Sequence, residues 1–242
     1  MTHSYEHSKA PKRRLKTQSI ISCQNPLTGL TEPSGTTYDA MLLMQPVAMS
    51  KNKKEIEIME KSQTVCFTGR RAKKLCGWKH ESYKTLVAQI TEVVKNLADM
   101  GYTDFISGGA QGFDQLAFWA VHKAKTNYKL NIQNHVFVPF EGQESAWPEN
   151  GCFGQKEYRQ MLKLADSVTV CGTKDNIGRQ LTLRNHAMVD ASSLLVALYD
   201  CDDNFHLATF GGTEECMRYA YSKQIEIKIL DYIIKDNKIE LL

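Results

Sequence analysis

Apolar residues alternate along most of the chain between short continuous runs and stripes at three- and four-residue spacing. The runs predict buried strands, and the stripes predict helices with one apolar face. Strands separated by helices in this way indicate a parallel sheet covered on both faces. The expected fold is therefore α/β, a Rossmann-like, doubly wound and mainly parallel sheet with helices on both faces. The predicted strands are residues 64–69, 103–107, 135–140, 167–171, 193–200 and 225–230, and the predicted helices are 83–97, 113–124, 154–164, 179–189 and 213–222.

The first part of the chain has no such period. It holds turn formers, such as NPLTGLTEPSGTT, and one apolar patch, YDAMLLMQPVAM. Five basic residues and a single acid stand in residues 1–16, so the basic charge is concentrated there. We expect residues 1–61 to be a mostly disordered basic extension and residues 62–242 to form the Rossmann-like domain.

Composition and charge limit which partners, cellular location and cofactors are expected. The net charge of the 242 residues is only +3, so any nucleic-acid binding is expected to be weak and to involve the basic extension. No apolar run approaches a membrane span, and no secretory signal pattern follows the basic start, so a cytoplasmic protein is expected. Seven scattered cysteines without a C-x-x-C pair, and one acidic turn, YDCDDN, predict neither a metal nor another cofactor. The sequence is compatible with a homo-oligomer.

Glycines cluster after three of the predicted strands. Ligands of open parallel sheets bind beyond the carboxyl ends of the strands, where glycine allows close approach and free helix N–H groups attract anions. Tight strand-to-helix turns would explain any one of these glycines equally well. Together they predict phosphate-binding loops. The residues concerned are Gly69, Gly108, Gly109, Gly112, Gly211 and Gly212, with Thr213 directly after the last.

Charged and polar side chains stand near the same predicted edge. Arg70 and Arg71 could bind phosphate oxygens, or form a solvated loop together with Lys73 and Lys74. Asp114, in the first turn of the second helix, could accept hydrogen bonds from a ribose or cap free N–H groups.

Two further loops carry candidates for ligand contact. Glu141 and Trp147 follow the third strand, where a carboxylate and an indole would suit a nucleoside, although Trp147 could simply pack against the core. Arg184 and Asn185 open the segment RNHAMVD; Arg184 could contact a phosphate, and Asn185 could contact the ligand through its side-chain amide.

Five segments resemble the SLOG superfamily, and within it the YpsA-like family. They are CFTGRRAKKLCGW, ISGGAQGFDQLAFWAV, VPFEGQESAW, RNHAMVD and LVALYD…GGT…YA, and the resemblance covers about residues 62–230. It implies a Rossmann-like fold that holds a nucleotide or a nucleotide-derived ligand. Some relatives, the LOG proteins, hydrolyse the N-glycosidic bond of nucleoside monophosphates, and others, the DNA processing protein A group, bind single-stranded DNA.

The hydrolase alternative depends on a glutamate that this chain lacks. LOG enzymes carry P-G-G-x-G-T-x-x-E, whereas this chain has FGGTEECMRYA, with Cys216 at the place of the glutamate. Glu214, Glu215 or Glu141 would have to replace that acid. We therefore expect a protein that binds or senses a nucleotide or nucleotide derivative, with N-glycosidic hydrolysis and single-stranded DNA binding as alternatives.

Overall fold

The computed structural model describes residues 59–200 and 211–242. Its main sheet has six strands in the order β4-β3-β2-β1-β5-β6, and every neighbouring pair is parallel. The predicted α/β, Rossmann-like class is confirmed. The strands are β1 (Thr64–Gly69), β2 (Asp104–Ser107), β3 (Gln133–Val138), β4 (Ser167–Val170), β5 (Leu194–Leu198) and β6 (Glu226–Leu230), and the helices are α1 (Lys84–Asp99), α2 (Phe113–Asn127), α3 (Gln155–Leu164), α4 (Ile177–Asp190) and α5 (Gly212–Ser222).

Alternate side chains of the strands enter two different hydrophobic layers. Val65 and Phe67 of β1 pack in the layer built with α1 and α2, whereas Cys66 packs in the layer built with α4 and α5. Phe118, Val136 and neighbouring residues join α2, β3 and α3 in a smaller third cluster. Successive residues of a strand point to opposite faces, so strands that are apolar at every position cover both faces of the sheet.

Two features differ from the sequence expectation. The strand β4 was predicted as buried, but Val168 and Val170 are 42% and 45% exposed because β4 is the edge strand of the sheet. In addition, β7 (Tyr232–Lys235) and β8 (Lys238–Leu241) form an antiparallel hairpin that the sequence interpretation missed. Its turn residues, Asp236 and Asn237, adopt φ values of 51° and 56°, as a tight hairpin turn requires.

The strand order determines where a ligand site is expected. The first strand of the sheet, β1, lies near its middle. The next strands, β2, β3 and β4, are added on one side of β1, and β5 then lies on the other side. The order therefore reverses between β1 and β5, and ligands of open α/β sheets bind in the crevice outside such a reversal.

Some sequence predictions fall on residues that the structure does not describe. The predicted extension, residues 1–61, lies outside the described residues except for its last three, and the turn YDCDDN lies outside them from residue 201 onward. Across the described ranges, no helix is both long and apolar enough to span a membrane.

Candidate functional site

A cavity of about 310 Å³ lies at the reversal point of the sheet. Three chain segments form most of its wall: the end of β1 with the residues after it, the start of α5, and the middle of α4. Nine of the residues predicted from the sequence line it, which are Gly69, Arg70, Arg71, Asp114, Arg184, Asn185, Gly211, Gly212 and Thr213. Thr68, Lys74, Ala110, Leu181 and Glu214 complete the lining.

Arg70 is held by two carboxylates. Its Nη2 lies 2.8 Å from Asp200 Oδ1, its Nη1 lies 2.6 Å from Glu214 Oε1, and the guanidinium stacks 4.1 Å above the Tyr199 ring. Burial alone would lower the pKa of Arg70, but the hydrogen bonds that it donates to Asp200 and Glu214 outweigh the effect of burial and raise the pKa. The charge of Arg70 is therefore largely neutralised by protein groups, and the side chain ties β1 to β5 and α5.

Arg184 is the second cation with a carboxylate partner. Its Nη1 lies 2.8 Å from Asp114 Oδ2, and both side chains are buried. Asp114 also accepts the backbone N–H of Ala110 at 3.3 Å. A Cβ on Gly108 would overlap the guanidinium of Arg184, so the absence of a side chain at Gly108 makes room for this ion pair. The Nε of Arg184 is buried without a hydrogen-bond partner among the described residues.

Arg71 and Lys74 differ from these two arginines. Both residues are exposed to solvent and line the cavity, although neighbouring protein groups partly desolvate the Arg71 guanidinium and lower its pKa. Within residues 59–200 and 211–242, neither forms an ion pair with a carboxylate. Lys74 belongs to a 3₁₀ turn, Ala72–Lys74, which follows Arg71 directly and brings the two cations to the same wall. The cavity therefore has two positive charges that form no salt bridge with a carboxylate of the described chain, although Asp114 attracts Arg71 at longer range.

The N-terminus of α5 forms the facing part of the wall. Gly211 is its N-cap residue, and no side chain caps it. Thr213 Oγ1 donates to the Gly69 carbonyl at 2.9 Å, and Asn185 Nδ2 donates to the Gly212 carbonyl at 3.2 Å, so both side chains hold this helix end in place. A Cβ on Gly212 would meet no atom of the described residues within 4 Å. A helix N-terminus attracts negative charge, and the Glu214 carboxylate in the first turn of α5 supplies part of that charge by accepting its own backbone N–H.

Of the three glutamates considered for hydrolysis, Glu214 is the one that lines the cavity. Burial alone would raise the pKa of Glu214, but hydrogen bonds from its own backbone N–H and from Arg70 lower the pKa overall. Glu215 lies outside the lining, and its Oε1 is 2.6 Å from His186 Nε2. Glu141 is exposed and also lies outside the lining.

The other predicted residues lie away from the cavity lining. A Cβ on Gly109 would meet Tyr158 at 3.1 Å, and Gly112, at φ 110°, lies against the backbone of Arg70 and Ala72. Trp147 packs edge-to-face on Tyr158 with ring centroids 5.1 Å apart, as a loop residue that covers the core. Like Gly108, these residues contact protein groups in the structure.

Sequence reasoning missed Lys74 as a site residue. It was weighed only as part of a solvated loop together with Lys73, because adjacent lysines carry no sign of which one faces a cavity. Both lysines belong to the 3₁₀ turn Ala72–Lys74, and within this turn only Lys74 lines the cavity.

A doubly wound parallel sheet with a polar cavity at its reversal point defines the Rossmann-like class of proteins. The model of the YspA SLOG family (YpsA) matches residues 65–233, and the chain belongs to this family. It is 34% identical, over 48% of its length and 68% of the relative's, to the uncharacterized SPbeta prophage-derived protein YoqJ of Bacillus subtilis. It is 29% identical to UPF0398 protein BH1768 of Halalkalibacterium halodurans, over 58% of its length and 74% of the relative's. SLOG family membership suggests a function related to nucleotides.

Proposed function

We propose that the chain binds a nucleotide or nucleotide derivative through its phosphate, in the cavity between the ends of β1 and β5. The observation that carries this proposal is the pair of exposed cations, Arg71 and Lys74, which line the cavity and form no ion pair with a described carboxylate. Such cations beside the open N-terminus of α5 are a suitable environment for an anion with several acceptor oxygens.

The charges of the wall favour a phosphate over a neutral ligand. Four cations and two carboxylates line the cavity, and the two carboxylates, Asp114 and Glu214, are paired with Arg184 and Arg70. An incoming phosphate would therefore meet Arg71 and Lys74 without displacing a carboxylate from them. A volume of about 310 Å³ is at the lower end of small-molecule sites, which are roughly 300–1,000 Å³, and suits a mononucleotide.

Two alternatives have weaker support. N-glycosidic hydrolysis needs a carboxylate directed at the ribose, and the acid in the wall, Glu214, is bound to Arg70 at 2.6 Å. Binding of single-stranded DNA would depend mainly on the basic residues 1–16, which lie outside the described residues.

The test compares three variants that each remove one positive charge from the same loop. Arg71→Ala and Lys74→Ala remove the exposed cations of the cavity, and Lys73→Ala is the matched control because Lys73 does not line it. The measurement is calorimetric titration of the full chain with AMP, ADP, the other nucleoside mono- and diphosphates, and the parent nucleosides.

We expect phosphate esters to bind more tightly than their nucleosides. A hydrogen bond to a charged group contributes about 1.5–3 kcal/mol, so each cavity variant should weaken binding by roughly 10- to 100-fold. Lys73→Ala should change the affinity by less than about threefold. Equal losses in all three variants would indicate a general charge effect, and no loss in Arg71→Ala and Lys74→Ala would contradict the proposal.

A further inference from the structure

A second group of chemically active side chains does not line the cavity described above but lines another one. His80 begins the 3₁₀ turn His80–Tyr83, Cys152 lies in the loop before α3, and Glu157 lies in the first turn of α3. One nitrogen, one sulfur and one oxygen atom of these residues lie within 4.8 Å of one another. The sequence predicted no metal, because 72 residues separate the histidine from the cysteine and no short motif links them.

We propose that His80, Cys152 and Glu157 bind a zinc ion. A thiolate, an imidazole and a carboxylate together are typical zinc ligands, whereas Mg²⁺ and Ca²⁺ prefer oxygen ligands alone. Binding forms the bond from zinc to Cys152 Sγ and releases the thiol proton to solvent. Three protein ligands leave a fourth position for water or another ligand.

The carboxylate of Glu157 is already oriented for this role. Its Oε2 accepts the backbone N–H of Phe153 at 2.7 Å, and its Oε1 lies 3.9 Å from His80 Nδ1. Zinc–ligand bonds of 2.0–2.3 Å imply ligand atoms roughly 3.3–3.7 Å apart in a tetrahedron. Because the ligand atoms lie within 4.8 Å of one another, the site needs them to approach by up to about 1.5 Å. The His80 side chain is 61% exposed and has the freedom to make this movement.

Aromatic packing holds the two loops of the site together. The Phe153 ring lies edge-to-face on Tyr83 at 5.3 Å and on Trp78 at 6.2 Å. Phe153 also adopts a φ of 62°, an uncommon conformation for a bulky residue, between Cys152 and the start of α3. The surrounding contacts must offset the cost of that conformation, so the backbone that carries Cys152 and Glu157 is well defined.

The fourth coordination position would face a cavity of about 490 Å³, which the three proposed ligands help to line. Lys84 and Lys123 also line it, together with Trp119. Lys84 is paired with Glu81 at 2.8 Å, so Lys123 is the lysine whose charge, together with the dication, favours an anion at the open position.

The experiment uses the full chain after treatment with a chelator, titrated with Co²⁺ and then with Zn²⁺. Cobalt bound by a thiolate gives a sulfur-to-metal charge-transfer band in the near ultraviolet, and zinc should abolish that band by displacing cobalt. We expect one cobalt ion per chain in the wild type.

Three variants separate ligation from folding. Because His80 is exposed, His80→Ala should keep the fold and weaken cobalt binding by at least about 100-fold, since loss of even an outer-shell partner costs 10- to 100-fold. Cys152→Ser should remove the charge-transfer band. Cys76→Ser is the matched control, because Cys76 is a partly buried cysteine outside the proposed ligand set, and it should leave the band unchanged.

Three results would overturn the proposal: no stoichiometric cobalt binding by the wild type, a thiolate band that disappears in Cys76→Ser and persists in Cys152→Ser, or an unchanged affinity in His80→Ala. If Cys152→Ser fails to fold, the His80→Ala titration decides alone.

Discussion

Replacing Gly108 by alanine tests what the glycine-rich loop after β2 accommodates. A Cβ at this position would overlap the Arg184 guanidinium and would lie 2.6 Å from Asp114 Oδ2. The φ of Gly108 is outside the left-handed region, so alanine adds no backbone strain. Both overlaps fall on the same ion pair, so the substitution should act by separating Arg184 from Asp114.

The expected cost follows from burial of the pair. The side chains of Arg184 and Asp114 are only 4% and 9% exposed, and Asp114 would remain buried without its cation. Breaking a buried ion pair by loss of one partner costs about 3–5 kcal/mol. For a domain of this size, a loss of 3 kcal/mol lowers the melting temperature by about 6–12 °C.

Urea unfolding followed by circular dichroism measures this cost, with Gly212→Ala as the matched control. A Cβ at Gly212 meets no atom within 4 Å in the part of the chain that the structure describes, so that variant should change the free energy of unfolding by less than about 1 kcal/mol. In an Asp114→Asn background the effect of Gly108→Ala should become smaller, because the carboxylate that a displaced Arg184 would leave unpaired is already absent. A loss below about 1 kcal/mol for Gly108→Ala, or the same loss in both backgrounds, would refute the reasoning.

Two further predictions concern Glu214. The pKa of Glu214 is lowered in the folded chain, so its ion pair with Arg70 stabilises the fold above the unfolded pKa of about 4.3. This stabilisation is lost as the pH falls through the lower folded pKa. Urea midpoints should therefore show Glu214→Gln to be less stable than the wild type at pH 7, with a difference that shrinks below about pH 4. We also expect no free base to be released from AMP or CMP, measured by chromatography, because Arg70 holds the Glu214 carboxylate; release that is lost in Glu214→Gln and retained in Glu215→Gln would contradict this.

Most of the fold followed from the sequence because its helices and inner strands are strongly patterned. The predicted helix 213–222 and the observed Gly212–Ser222 differ by one residue. The hairpin β7–β8 was missed because it buries few side chains, such as Tyr232 and Ile239, and its apolar pattern is weak. Its Asp236–Asn237 turn was the available local signal.

The candidate site was harder to predict because its pairings are distant in sequence. Asp114 and Arg184 are 70 residues apart, and Arg70 and Glu214 are 144 residues apart. Position along the chain predicted that these residues reach one sheet edge, but not which charges neutralise each other. For the same reason the sequence could not separate Lys73 from Lys74, whose different surroundings depend on a single 3₁₀ turn.

The ion pairs connect sequence motifs that lie far apart along the chain. Asp114 belongs to the segment GGAQGFD and Arg184 to RNHAMVD, and their contact joins the starts of α2 and the middle of α4 across the sheet edge. Arg70 joins the end of β1 to α5 in the same way. Two arginines thus serve the frame of the cavity, whereas Arg71 and Lys74 remain exposed at its wall. Arg70 of the frame and the exposed Arg71 are adjacent in the loop after β1, so substitutions there should separate the two roles. Loss of Arg70 should reduce stability first, and loss of Arg71 should reduce affinity for a phosphate with little change in stability.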